Sequence, residues 1–247
     1  MLFLDSDDWW ILDLCEKTYQ KAEETGAQMT IFFHSRIREQ IIRSITANDK
    51  ISTEEKLPLL VFVSACTQLW RTDFLLDNQL YFPVGLTCED HLVYWQAVTL
   101  ANKISIISEK LYHYRERKGS ITQTRSKHMM DIVPIFNKIR TYLLESGYYE
   151  EYRDEFIAIK LKLWKSHYHL LPASMLSEYV TMVRNSMSAD DREFFRIASK
   201  GTKLFYDMIE GGSREAMKYQ IYSVMKRSEQ ICRQWVIKPI KKRLKAA

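Results

Sequence analysis

The feature that most constrains this chain is its opening stretch, where the apolar run Met1-Leu2-Phe3-Leu4 leads straight into Asp5-Ser6-Asp7-Asp8. Four apolar residues suffice for a buried strand. Side chains alternate along a strand, so Asp5 and Asp7 face the same way at its end. Two carboxylates so placed suit a hard divalent cation such as Mg²⁺ or Mn²⁺, which keeps positions open for phosphate oxygens. Asp8 then falls where a helix should begin, because Trp9 to Glu24 reads as helix and Gly26 stands at its end. A second reading of the same residues is a capped strand–helix turn, with its acids stabilised by the helix dipole. The local pattern leaves both open.

The chain has 247 residues, 46% of them hydrophobic, enough for a sizeable core and for one domain with an appendage. A net charge of +5 is too mild to argue for nucleic acid, and none is expected as a partner. Cys15, Cys66, Cys88 and Cys232 are scattered without a C-x-x-C pair, which favours a reduced cytoplasmic protein over a disulfide framework or zinc site. No apolar run has the length of a bilayer span.

Ala27 to Phe33 is β-branched and aromatic and is expected to be a strand, completing a β–α–β unit with a parallel pair. Arg36 to Ile51 reads as a surface excursion, and Ser52-Thr53-Glu54-Glu55 as a capping box opening a helix. Ala65 to Trp70, Lys103 to Ile107 and Leu111 to Arg115 read as further strands, with helices at Arg71–Leu76 and Leu92–Ala101. From about Ser126 strand patterns give way to amphipathic helices: Lys127–Ser146, Tyr149–Leu171, Ser174–Met187, Ala189–Lys200, and Arg214 to near the end. Gly147, Pro172, Gly201 and Gly211-Gly212 read as the breaks between them. Two regions are therefore expected, an α/β region at 1–125 and an all-helical one at 126–247.

Four segments in fixed order carry a resemblance. They are FLDSDDWW, the loop Phe82-Pro83-Val84-Gly85 leading to Glu89-Asp90, the segment Tyr112-His113-Tyr114-Arg115, and the trailing Gly119-Ser120. Together they resemble the family-2 glycosyltransferases of GT-A fold, of the kind that builds bacterial capsule, exopolysaccharide and teichoic-acid decoration. The resemblance covers Met1 to about Thr122. It implies the C-terminal part of a GT-A domain, a Rossmann-like mixed sheet, followed by a helical extension.

Carried over by position, the resemblance implies that Asp5 and Asp7 form the D-x-D motif that contacts the nucleotide and its Mg²⁺ or Mn²⁺. It implies Asp90 as catalytic base, with Glu89 beside it to raise its pKa or orient it. Arg115 and Ser120 match a segment that closes over the donor, and His113 lies where some relatives place a further metal ligand. The implied reaction is an inverting transfer from a nucleotide-sugar, expected to be a UDP-sugar, to a surface-polysaccharide or lipid-linked glycan acceptor. A carboxylate would take the acceptor proton while the cation stabilises the leaving diphosphate.

The Pro-x-Tyr/Phe-Asn loop and base-reading Asp that precede the D-x-D in family members are not in this sequence. The sequence therefore leads to the expectation of a truncated chain, with a catalytically inactive remnant acting as a binding or assembly module as the alternative.

Other residues read more plainly. His91 is expected to be a supporting or surface residue, and Trp70-Arg71 either borders the acceptor cleft or serves the core and a helix start. His167-Tyr168-His169 has histidines two apart, which diverge on a helix, so packing is expected. Arg233 to Lys245 interleaves basic residues with Trp235, Val236, Ile237, Ile240 and Leu244, the pattern either of a peripheral contact with the inner face of the cell membrane or of an ordinary solvated basic tail.

Overall fold

The computed structural model describes residues 1–36, 63–117, 119–120, 124–211 and 213–232. The excursion after Arg36, the Ser52 capping box and the basic tail lie outside the described residues.

The sheet has four strands: β1 (Trp9–Trp10), β2 (Met29–His34), β3 (Gln68–Trp70) and β4 (Ile104–His113), in the spatial order β1-β4-β2-β3. β2 and β4 run parallel, and the two outer pairings are antiparallel. β2 takes the centre because Met29 to Phe33 are all buried, so neither of its faces tolerates water. Thr30, the polar residue in that run, is satisfied by a 2.7 Å hydroxyl bond to Ser105 of β4.

Three expectations change here. Met1–Leu4 is not a strand: Met1 and Trp70 exchange backbone hydrogen bonds, and the chain then turns, the Asp8 amide donating to the Asp5 carbonyl. Leu2 and Phe3 still pack on the core of Leu14, Phe32, Leu111 and Tyr112, so the run is apolar for the reason inferred, but it ends in a turn. Trp9 and Trp10 are a two-residue strand and not the first turn of a helix. Their rings prefer extended backbone, where Trp9 stacks on His113 across the ladder. The parallel pair is therefore β2/β4, since β1, the strand before the first helix, runs antiparallel to β4.

The first helix, α1 (Leu14–Thr25), ends on Gly26 in the left-handed conformation at φ 66°. The two strands expected in 103–115 are one. β4 is continuous, and its register against β2 slips between Ile31/Ile106 and Phe33/Lys110, so the polar Ser108-Glu109 is a bulge within one strand. Lys17 of α1 pairs with Glu109 at 2.5 Å on that bulge.

Two short helices follow in the α/β part, α2 (Thr72–Asp77) and α3 (Asp90–Leu100). Beyond β4 the described residues are helical: α4 (Ile132–Glu145), α5 (Tyr149–Leu170), α6 (Leu176–Ser186), α7 (Ala189–Ile197), α8 (Lys200–Glu210) and α9 (Ser213–Cys232). α8 is the element the sequence hid. Gly201 reads as a helix stop but lies in the first turn of α8, where a Cβ would come within 2.9 Å of the Tyr222 ring. It is glycine because another helix packs there.

The described chain forms two compact units, Met1–Glu155 and Phe156–Ala247, divided within α5. In the second unit, Lys160 and Asp191 form an ion pair at 2.5 Å, both side chains almost fully buried. The Lys160 ammonium also lies 4.8 Å from the Phe156 ring centre and 5.1 Å from that of Trp164. Asp191 completes a capping box with Ser188 at the start of α7, so one carboxylate both caps a helix and neutralises a buried lysine. None of the described helices is long and apolar enough to cross a membrane.

Candidate active site

The candidate residues lie on four pieces of backbone: the Asp5–Asp8 turn, the 3₁₀ turn Ala65–Thr67, the start of α3, and the stretch leaving β4. Asp90 opens α3, favoured there by the helix dipole. Its carboxylate accepts the Ala65 backbone N–H at 3.0 Å. Burial raises its pKa first, and the nearby carboxylates of Glu89 and Asp5 raise it further, against the lowering effect of the Ala65 hydrogen bond. A half-hidden carboxyl with elevated pKa, beside two other acids, is suited to accepting a proton from a hydroxyl held against it.

The loop that delivers Glu89-Asp90 is held from below. The Asp131 carboxylate accepts both the backbone N–H of Thr87, at 3.0 Å, and its hydroxyl, at 3.1 Å. The Thr87 hydroxyl also bonds the His128 carbonyl at 2.7 Å. Between this anchor and Glu89, Cys88 takes φ 63°, a conformation side chains other than glycine seldom adopt. Such strain persists where surrounding contacts fix it, and it collects at functional sites.

Asp8, which the sequence placed at a helix start, is instead the tether of the acidic turn. It accepts the Tyr112 hydroxyl at 2.6 Å and the Arg115 backbone N–H at 2.7 Å. The Cys66 thiol hydrogen-bonds the same Tyr112 hydroxyl, and burial pushes that thiol up to about 11. Cys66 was not singled out from sequence, and neither Tyr112 nor Asp8 was given this tethering role there. Period-two alternation was the available signal: it sets Tyr112 on the face opposite His113, towards the acidic turn.

Asp7 forms an ion pair with Arg117 at 2.6 Å. Asp5 is exposed and lies close enough to Asp90 and Cys66 to act on both electrostatically. Arg115 contributes its backbone N–H to Asp8, while its guanidinium lies over the Trp9 ring at 5.3 Å. His113 stacks on Trp9, ring centres 5.1 Å apart and planes nearly parallel. The Ser120 N–H reaches the Arg117 carbonyl at 3.2 Å. The structure thus brings Asp5, Asp7, Asp90, Glu89 and the Arg115–Ser120 stretch to one region, and engages His113 with an aromatic ring.

Asp5 and Asp7 match in number and kind what a divalent cation takes from a protein when diphosphate and water fill its remaining positions. Among the described residues no group of three or more His, Cys, Asp or Glu could hold a metal alone. In the second unit His167 bonds the Leu163 carbonyl and His169 the Tyr219 hydroxyl, so the two histidines diverge.

Replacing Tyr112 by Phe removes the hydroxyl that ties Asp8 to β4. The expected cost is about 1–3 kcal/mol in urea unfolding, since Asp8 loses one of its two partners. A loss below about 0.3 kcal/mol, with unchanged slope, would show that Asp8 is not tethered this way.

Comparisons with known proteins follow from this geometry. No family model matches the chain. It is 26% identical over 163 residues to the glycosyltransferase GlyA of Streptococcus pneumoniae, covering 59% of this chain and 23% of GlyA. It is 30% identical over 101 residues to TarS of Staphylococcus aureus, a poly(ribitol-phosphate) beta-N-acetylglucosaminyltransferase, covering 40% of this chain and 18% of TarS. The glycosyltransferase EpsH of Bacillus subtilis, a name given there as putative, is 26% identical over 62% of this chain and 48% of its own length. The crystal structure of TarS residues 1–349 with UDP-GlcNAc superposes at a TM-score of 0.67 and 18% identity, covering 92% of this chain and 67% of that one. The chain is similar to bacterial glycosyltransferases. Its fold is the mixed α/β fold of TarS residues 1–349. The aligned parts span about a fifth of GlyA and TarS and about half of EpsH.

Proposed function

We propose that this chain carries the donor-side machinery of a glycosyltransferase that moves a sugar from a UDP-sugar to a bacterial surface glycan or a lipid-linked precursor, in the cytoplasm. The observation that carries the reading is the meeting of an acidic turn, Asp5–Asp8, with an elevated-pKa carboxyl, Asp90, on a fold shared with an enzyme crystallised with UDP-GlcNAc.

In this reading Asp5 and Asp7 hold Mg²⁺ or Mn²⁺ against the donor, and the cation supplies charge stabilisation for the departing diphosphate. Arg117, now paired with Asp7, stands beside the same turn and adds positive charge there. Arg115 and Ser120 belong to the stretch that covers the donor. Asp90 accepts the proton of the acceptor hydroxyl as that oxygen attacks the anomeric carbon from the face opposite the leaving group, which inverts the configuration. Glu89 raises the basicity of Asp90 by its charge. His113, stacked on Trp9, supports the wall carrying Arg115.

The test is UDP release from a panel of UDP-sugars by the purified chain, with Mn²⁺ and with excess EDTA. Metal-dependent release from at least one sugar is expected. A folded sample that releases UDP from none, or equally well in EDTA, overturns the proposal.

A further inference from the structure

The last described helix, α9, carries an apolar face that nothing among the described residues covers. Its inner side is anchored: Tyr219 is fully buried, packed edge-on against Tyr168 and at a tilt against Phe205 and bonded to His169, and Tyr222 lies against Gly201 of α8. Met217, Ile221, Val224 and Met225 are 63%, 55%, 65% and 66% exposed. At 100° per residue these four positions, spaced i, i+4, i+7 and i+8, fall within an arc of about 100°, pointing away from Tyr219 and Tyr222. Four large apolar side chains in one exposed stripe mark an interaction surface more often than chance exposure does.

Charge says what covers it. The sequence directly after α9, residues 233–247, holds six basic residues and no acidic one. The whole chain carries +5, so the first 232 residues together carry −1. The positive charge of this protein is thus concentrated in the fifteen residues that continue from the apolar stripe, among them Trp235, Val236, Ile237, Ile240 and Leu244. An apolar helical face followed by a sequence rich in basic and apolar residues is complementary to an anionic bilayer surface, whose headgroups attract lysine and arginine and whose acyl boundary takes up apolar side chains. A second copy of this chain would bring a second concentration of like charge to the same place, which disfavours self-association through the stripe.

We infer that α9 seats this protein on an anionic lipid surface, with Met217, Ile221, Val224 and Met225 inserted at the headgroup boundary. The inference does not depend on the transfer chemistry.

The experiment is co-sedimentation of the full chain with vesicles of phosphatidylcholine alone and of phosphatidylcholine with phosphatidylglycerol. The wild type is compared with a variant combining Met217→Gln, Ile221→Gln, Val224→Thr and Met225→Gln. These side chains are exposed, so the thermal midpoint should be unchanged, and sedimentation velocity reports the oligomeric state of both forms. The wild type should pellet with the phosphatidylglycerol vesicles, weakly with phosphatidylcholine alone and less as salt rises. The variant should lose affinity roughly tenfold or more. Equal pelleting of both forms overturns the role of α9. Absence of wild-type binding to anionic vesicles, or a wild-type dimer that the variant converts to monomer, overturns the lipid assignment.

Discussion

Asp90→Asn should lower UDP release from a productive UDP-sugar by about 10²–10⁴-fold, the range removed with a positioned general base. Shape and burial are conserved in the amide, and the Ala65 N–H still finds an oxygen, so the protein should fold and bind UDP as before. The sharper signature is the pH profile. The base works when deprotonated, so turnover falls as pH drops through the Asp90 pKa, and that limb lies above the ordinary aspartate range because burial and the Glu89 and Asp5 charges raise it. Glu89→Gln removes one raising charge and should move the limb to lower pH. The stability linkage has the matching sign. A carboxyl whose pKa is raised on folding binds its proton more tightly in the native state, so its contribution favours folding at low pH and is lost as pH rises through the elevated value. An unaltered rate in Asp90→Asn would place the base elsewhere.

The second large effect is in the helical unit. Lys160→Met leaves Asp191 charged and buried, and should cost about 3–5 kcal/mol in denaturant unfolding. Asp191→Ala should be at least as severe, because it also removes the capping box with Ser188. The combined Lys160→Met, Asp191→Ser variant, which removes both charges and keeps a short polar side chain near the cap, should recover much of the loss. A single variant that unfolds at the wild-type midpoint would mean that water reaches this pair.

How much of this was legible beforehand follows from which force sets each element. β2, buried on both faces, announces itself as a β-branched and aromatic run, and α4 and α5 by their stripes. The acidic turn and Glu89-Asp90 were legible as chemistry because carboxylates cluster there without an apolar role. What stayed hidden depends on partners distant in sequence. Trp9-Trp10 reads as helix until His113 and Tyr112 are known to lie across from it. Gly201 reads as a stop until Tyr222 is placed against it. Asp8 looks like a cap until the Tyr112 hydroxyl, 104 positions away, is found on it. The Lys160–Asp191 pair gave no signal, since a lysine and an aspartate in surface-rich helices are ordinarily solvated.

The division into units carries the same lesson. Composition changes near residue 125, where strands end, whereas the compact units divide at Glu155, because α4 and the start of α5 pack with the α/β part: Tyr142 bonds Thr99 of α3 at 2.7 Å, and Trp95 meets Tyr152 edge-on. Packing crosses a boundary that periodicity draws.

The most direct measurement of the central claim, that the acidic turn holds a nucleoside diphosphate through a divalent cation, is titration calorimetry of the folded chain with UDP, with and without Mn²⁺. Wild type should bind UDP only with the metal, and Asp7→Ala should lose that binding while keeping its thermal midpoint within a few degrees. Binding that is indifferent to Mn²⁺ and to Asp7, or no binding by a folded wild type, would contradict it.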